Sequence, residues 1–167
     1  PGRPAGMSFD VFDKGTTAFE GKATRKQIII SFSGGTSDPK IHLLEYLPAH
    51  TDKPVPMLLQ ISFSGNSVAV DDPGVRESEV WSRDKKKIPA GKGMPFRKVN
   101  VLPILDAGFG FATFYYGDVE PDFEGGLPYG VRNLFLKPGQ TKPAPDEWGS
   151  IAAWTWGIGR VMDYLTK

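Results

Sequence analysis

Residues 148–165 read WGSIAAWTWGIGRVMDYL. Three of the chain's four tryptophans fall in this stretch, with three glycines and one arginine. Ile151, Trp154, Ile158, Met162 and Leu165 recur at steps of 3, 4, 4 and 3, the spacing that sets apolar side chains along one face of a helix. Asp146 is the expected N-cap, and Glu147 falls where a carboxylate meets the positive end of the helix dipole. Gly149, Gly157 and Gly159 each cost roughly 1 kcal/mol relative to alanine in a helix interior. Close packing against a sheet would offset that cost, so the residues before this helix have to supply a sheet.

Two runs supply its centre. Residues 55–63, VPMLLQISF, are almost wholly apolar apart from Gln60, and residues 108–116, GFGFATFYY, are similar. Such runs suit strands covered on both faces, as in the parallel sheets of α/β folds. Earlier, residues 27–32 (QIIISF) and 41–47 (IHLLEYL) read as a shorter pair, the first closed by Gly34 and Gly35 and the second by Pro48. Ile41, Leu43 and Leu47 share one face, His42, Leu44 and Tyr46 the other. The short link between the two runs favours an antiparallel pair. Residues 1–24 read as loop, with Phe9, Val11 and Phe12 as anchors. Residues 68–107 hold no long periodic element; they contain Asp71-Asp72-Pro73-Gly74, the basic stretch 83–87 and Gly91-Lys92-Gly93, with room for a short helix near residues 99–105. The order is strand, strand, buried strand, long insertion, buried strand, helix. That is an α/β order, with a further parallel strand expected next.

The composition bounds the chemistry. With 167 residues, the chain is long enough for one domain with a real core. Twenty basic and 19 acidic residues leave a net charge of +1, without the basic excess that nucleic acid or an anionic membrane demands. No apolar run approaches the ~20 residues that span a bilayer. With no cysteine, disulfides, thiolate nucleophiles and zinc–thiolate sites are excluded. The opening PGRPAGMS has no secretory leader and no initiator Met, so a piece of a longer chain is expected.

No local motif completes a catalytic site. An EF-hand loop beginning at Asp118 would need Gly at its sixth position and Glu at its twelfth, where Phe123 and Tyr129 stand. The Asp118, Glu120, Asp122 cluster therefore reads as a solvated loop after a strand, or as residues close to a site. Gly108-Phe-Gly110 lacks the last glycine of a dinucleotide fingerprint and precedes its strand. No phosphate-binding G-x-x-x-x-G-K-[ST] and no G-x-S-x-G occurs. His42 and His50, the chain's two histidines, have no serine and acid at recognisable spacing. His42 reads as a hydrogen-bonded or exposed sheet residue. ISFSG occurs at 30–34 and again at 61–65, but the flanks diverge and two copies make no repeat.

The stretch 148–165 closely resembles the helix that precedes the nucleophile in carbohydrate esterase family 15, the glucuronoyl esterases. Three further blocks agree in order: GKATRKQ at 21–27, residues 58–66 with Asp72-Pro73, and FYYGDVEPDF at 114–123. The resemblance spans nearly the whole chain and leans toward bacterial members. It implies an α/β-hydrolase fold, of which the chain would be the N-terminal half of the sheet with one long covering helix: a single domain, 1–167, interrupted before its nucleophile and shortened at its front. It implies hydrolysis of glucuronoyl esters of glucuronoxylan, including lignin–carbohydrate links, by a Ser-His-acid triad. The serine would follow the next strand in a G-x-S-R turn whose Arg helps hold the oxyanion, with the acid and His later still. All three are thus expected after Lys167, the last residue. No catalytic residue is expected among residues 1–167, and the chain by itself should be inactive.

By the same resemblance, Ser64, Gly65 and Asn66 shape the oxyanion side of the site. Asp118, Glu120 and Asp122 are its structural neighbours at a strand's C-terminal end. Ser67 stands where the family commonly has His, which leaves that position without an implied role. No cofactor and no metal is implied, and the full-length protein would be a secreted or periplasmic monomer. Two alternatives stay open: another carbohydrate esterase of acetyl-xylan type, or a non-catalytic carbohydrate-binding module. The module is disfavoured because the long apolar strands would leave a sheet edge and face uncovered.

Overall fold

The computed structural model describes residues 1–33, 35, 37–91 and 98–167. Gly34, expected to close a strand, and Lys92 and Gly93 of the glycine-rich stretch lie outside the described residues. Strands β1 (Ser8–Ala18), β2 (Ala23–Ser31), β3 (Lys40–Pro48), β4 (Met57–Ser62) and β7 (Gly110–Tyr115) form one sheet in the order β1-β2-β3-β7-β4. Neighbours run antiparallel from β1 through to β7, and β4 runs parallel to β7 with Ser62 opposite Tyr115. The segment between β4 and β7 carries the short helix α1 (Asn66–Ala69), a hairpin of β5 (Glu79–Trp81) and β6 (Lys87–Pro89), and the helix α2 (Leu102–Asp106). The basic stretch at 83–87 is the tip of this hairpin. The last element is the helix α3 (Ser150–Leu165).

Side-chain alternation explains the two cores. Ile28, Ile30 and Phe32 of β2 and the residue after it, Ile41 and Leu43 of β3, and Ala112 and Phe114 of β7 point to the face that α3 covers. Leu44, Tyr46 and Phe111 point to the other face, against Ala69, Val70, Val101 and Leu105. Every residue of β7 is buried, as its unbroken apolar run requires. Strand β4 differs: it is parallel as expected but outermost, and Leu58 and Phe63 are exposed. The expectation that both faces of this run are covered therefore fails within this chain.

Residues 8–18 are a strand, not the loop expected. The reason lies in two register shifts, between Val11 and Asp13 and between Lys14 and Thr16. Each bulge resets the alternation, so no period-2 pattern survives in SFDVFDKGTTA. Phe9 and Val11 still pack on the core, as anchors.

The bulge also turns Asp13 inward, where it meets Arg25 Nε at 2.7 Å and Gln27 Nε2 at 3.0 Å. Arg25 Nη1 donates to both oxygens of Asp72 at 3.1 and 3.0 Å, and the Tyr46 hydroxyl donates to Asp72 Oδ2 at 2.8 Å. Burial alone would raise the Asp72 carboxyl pKa. The hydrogen bonds from Gly74 N–H, Tyr46 and Arg25 outweigh it and hold the group below the usual carboxylate range. Asp13 is depressed likewise, burial being outweighed by Arg25, Gln27, Thr16 and Gly15. A carboxylate depressed in the folded state stabilises fully above its unfolded pKa, about 3.9, and less as pH falls below it.

The helix α3 corrects two further expectations. It begins one residue after an extended Gly149, not at Asp146, and no side chain caps it. Glu147 instead accepts from Ala144 N–H, Lys137 and Gln140, which pull its carboxyl down to about 2. The stripe that meets the sheet is Ala153, Trp156, Gly157 and Val161. Of the expected stripe, Trp154, Ile158 and Leu165 are half-buried, while Ile151 and Met162 are exposed. Gly157 is the point of closest approach: a β-carbon there would lie 2.6 Å from Val119 Cγ2. Gly159 faces open space, so close packing does not account for it. Just past the helix, Lys167 turns back over β1, its Nζ 4.1 Å from the centre of the Phe9 ring.

These contacts give opposite signs to two similar substitutions. Gly157→Ala should lower stability by about 1–3 kcal/mol through overpacking, whereas Gly159→Ala should raise it by about 1 kcal/mol through helix propensity; paired urea titrations would read both. Asp72→Asn should lower stability near neutral pH and flatten its decline below about pH 4, seen as a smaller difference between midpoints at pH 7 and pH 3.

Candidate functional site

Parallel strands of an open α/β sheet present their ligands at the carboxyl ends. Here those ends are Ser62 of β4 and Tyr115 of β7, opposite each other in register. The loop after β4 turns at once into α1. Ser64 is buried, its N–H donating to Ser62 Oγ at 3.1 Å and its hydroxyl 3.2 Å from the same atom. Gly65 is fixed by sterics: a β-carbon would overlap Ser78 at the base of the hairpin. Ser67 and Ser78 exchange N–H to Oγ hydrogen bonds, 3.1 Å each, which lock the loop to the hairpin.

Asn66 is buried, and its Nδ2 donates to the His42 carbonyl at 2.8 Å. Its Oδ1 has no partner among the described residues. Phe63, by contrast, is exposed and packs at a tilt against Tyr116, 5.1 Å between centroids, so the two strand ends meet through an aromatic pair.

After β7 the chain makes a single turn of 3-10 helix, Tyr116–Asp118. This turn sends the three acids in three directions. Asp118 is buried toward β3: its Oδ2 accepts the His42 N–H at 3.0 Å and lies 2.9 Å from His42 Nδ1, while Lys87 Nζ stands 3.7 Å from Oδ1. Asp118, His42, Asn66, Ser78, Lys87 and Tyr115 line one cavity of about 210 Å³ beside the hairpin.

Glu120 is buried toward α3. Its Oε1 accepts from Arg132 Nε at 2.7 Å and Ser150 Oγ at 3.0 Å, and lies 2.6 Å from Arg132 Nη2. Its carbonyl accepts the Trp154 indole N–H at 2.9 Å, and Arg132 Nη1 donates to the Trp148 carbonyl at 3.0 Å. Asp122 is exposed. The solvated-loop reading thus holds for Asp122 alone.

The structure brings Asn66 and Asp118 to one cavity, buries Ser64 and Gly65 without placing them in its lining, and bonds Glu120 to the turn and helix beside it. Local sequence missed Lys87, which stood out only as the end of the basic stretch 83–87, and Ser78. His42 is both hydrogen-bonded and half-exposed, as expected. Lys167, after which the serine, acid and histidine are expected, packs on Phe9 and does not line the cavity. Among the described residues no serine hydroxyl bonds to a histidine, and no group of three or more His, Asp or Glu side chains is placed to hold a metal ion. No described helix is long and apolar enough to cross a membrane.

The mixed sheet, its parallel pair and the flanking helices match an α/β-hydrolase-type fold. Comparison with known proteins agrees in fold and sequence. A glucuronoyl esterase from Solibacter usitatus superimposes with a TM-score of 0.91 and 48% identity, covering 98% of this chain and 43% of that one. A promiscuous CE15 esterase from a marine bacterial metagenome gives 0.69 and 34%, covering 96% and 42%. The carbohydrate esterase MZ0003, from an unknown prokaryotic organism, is 36% identical over 161 residues, 91% of this chain and 37% of that protein. No protein-family model matches the chain. The chain is thus similar to glucuronoyl esterases and to a CE15 esterase, and it spans less than half the length of the relatives it matches.

Removing one partner of a buried pair strands the other charge. Arg132→Met should therefore cost about 3–5 kcal/mol of stability, while Ser150→Ala should cost about 1 kcal/mol. Chemical denaturation of the two variants would show the difference.

Proposed function

We propose that this chain is the N-terminal portion of a secreted or periplasmic, monomeric serine esterase that cleaves glucuronoyl esters of glucuronoxylan. The observation that carries the reading is the 48% identity to a glucuronoyl esterase over 98% of the chain. The reaction is acyl transfer. A serine hydroxyl from a part of the protein after Lys167 adds to the ester carbonyl of glucuronate as a histidine takes its proton. The tetrahedral oxyanion collapses, the alcohol leaves with that proton, and water then releases the glucuronic acid from the acyl-enzyme.

Residues of this chain shape the pocket. Ser64, Gly65 and Asn66 form the oxyanion-side wall, and the bonds from Asn66 to β3 and from Ser67 to Ser78 keep that wall from moving as charge develops. Asp118 fixes His42 beside it, and Glu120 positions α3; neither acid takes part in proton transfer in this reading.

A wider ester range is the second reading, favoured by the neighbour described as promiscuous. The complete protein should hydrolyse the benzyl ester of glucuronic acid, and the 167-residue chain alone should not. Turnover by the pure chain that Ser64→Ala abolishes would overturn this. Equal kcat/KM on an acetylated xylan and on the glucuronate ester would favour the second reading.

A further inference from the structure

The β5–β6 hairpin is more than a cover for the core. Val80 is fully buried, but the rest of the hairpin is half-buried or exposed. What it holds in place is Trp81. The Trp81 backbone N–H donates to the Tyr115 hydroxyl at 3.2 Å, and its indole N–H donates to the Gly117 carbonyl at 3.1 Å. At the tip, Lys85 Nζ donates to the Glu124 carbonyl at 2.7 Å. These three bonds pin the hairpin to the carboxyl end of β7.

Pinned there, Trp81 packs against Phe123 at 5.4 Å and Tyr129 at 5.0 Å between centroids. Tyr129 is 52% exposed, a large aromatic face left to solvent beside a rigid indole. In front of the pair lies a cleft of about 290 Å³, at the small end of ligand clefts, roughly 300–1,000 Å³. Its two walls differ. Trp81, Pro128 and Tyr129 make an apolar wall, while Asp38, Lys40, His42, Lys87 and Asp118 line the rest with hydrogen-bonding groups. The two lysines face two aspartates, so the cleft has no excess charge to select an ionic ligand.

We propose that this cleft is a glycan subsite that takes one neutral pyranose residue of a polysaccharide main chain. A pyranose has an apolar C–H face and a rim of hydroxyls. Tyr129 and Trp81 receive the face, and Lys87 and Asp118 receive the rim. Lys87 is suited to the rim: its Nζ stands 3.7 Å from Asp118 Oδ1, a loose contact that a hydroxyl can bridge. Asp118 and Lys87 also line the smaller cavity beside Asn66. The subsite therefore adjoins the carboxyl edge of the sheet and would seat the main chain while the ester is presented there. Tyr129 would be a binding and positioning residue, not a catalytic one.

The choice of xylan as probe rests on the esterase reading, and the test separates the two. In the intact protein containing this chain, saturating xylohexaose should shift the Trp81 indole N–H resonance. Tyr129→Ala should weaken xylohexaose binding about tenfold by calorimetry, and Tyr129→Phe should restore it, because the ring and not the hydroxyl makes the contact. In kinetics, Tyr129→Ala should raise KM for a polymeric glucuronoxylan ester about tenfold and leave KM for the benzyl ester unchanged. An unmoved Trp81 resonance, wild-type affinity in Tyr129→Ala, or equal changes in both KM values would overturn the subsite. Binding lost in ~1 M salt would also overturn it, since charge would then carry the affinity. A protein that binds xylohexaose but cleaves no glucuronate ester would sink the esterase reading and leave the subsite standing.

Discussion

The buried pair of Glu120 and Arg132 sets the position of everything on the helix side of the sheet. Glu120 is 1% exposed and lies just past β7. Arg132 comes from the 3-10 turn Val131–Phe135, and Ser150 from the first turn of α3. One carboxylate oxygen thus ties two segments to its own, and the Glu120 carbonyl adds a further bond to α3 through Trp154. Gly130 lies so close to the Glu120 side chain that a β-carbon would overlap it. Desolvating two charges costs about as much as their attraction returns, so such a pair adds little net stability. Its effect here is on register. The helix enters at one height along the sheet, and Gly157 then meets Val119 with no room to slide.

On the opposite face the same task falls to a different network. Asp13, Arg25, Gln27, Tyr46 and Asp72 tie β1, β2 and β3 to the loop after α1. That loop also carries Arg76, whose N–H donates to Gln27 Oε1 at 2.8 Å. The hairpin and the loop after β4 are therefore anchored through polar bonds at both ends. Rigid placement of polar groups at the carboxyl edge is what a preorganised site needs.

Much of this is legible in residues alone, and the failures share a cause. The runs at 55–63 and 108–116 announce a parallel pair because both are apolar without alternation, although within this chain only β7 is covered on both faces, and resemblance supplies the fold. Strand β1 escapes because its bulges break the period that identifies a strand. The α3 stripe is hidden because its large side chains dominate the period, whereas the face that meets the sheet closely has to be small, as Ala153 and Gly157 are. Asp118 and Glu120 look solvated because their partners lie elsewhere in the chain: His42 is 76 positions from Asp118, and Arg132 is 12 from Glu120. Spacing along a chain carries no information about a bond that only tertiary structure creates.

The two margins of the sheet are unlike. At β1 the strand is bulged twice and dotted with Asp10, Lys14 and threonines, so its outward backbone groups form no regular ladder. At β4 the strand is unbulged, apolar and open, with Leu58 and Phe63 facing solvent. Recruitment of any additional strand is thereby one-sided. The unbulged β4 margin is the kind of edge that pairs readily with a further strand, and the irregular, polar β1 margin is the kind that resists pairing.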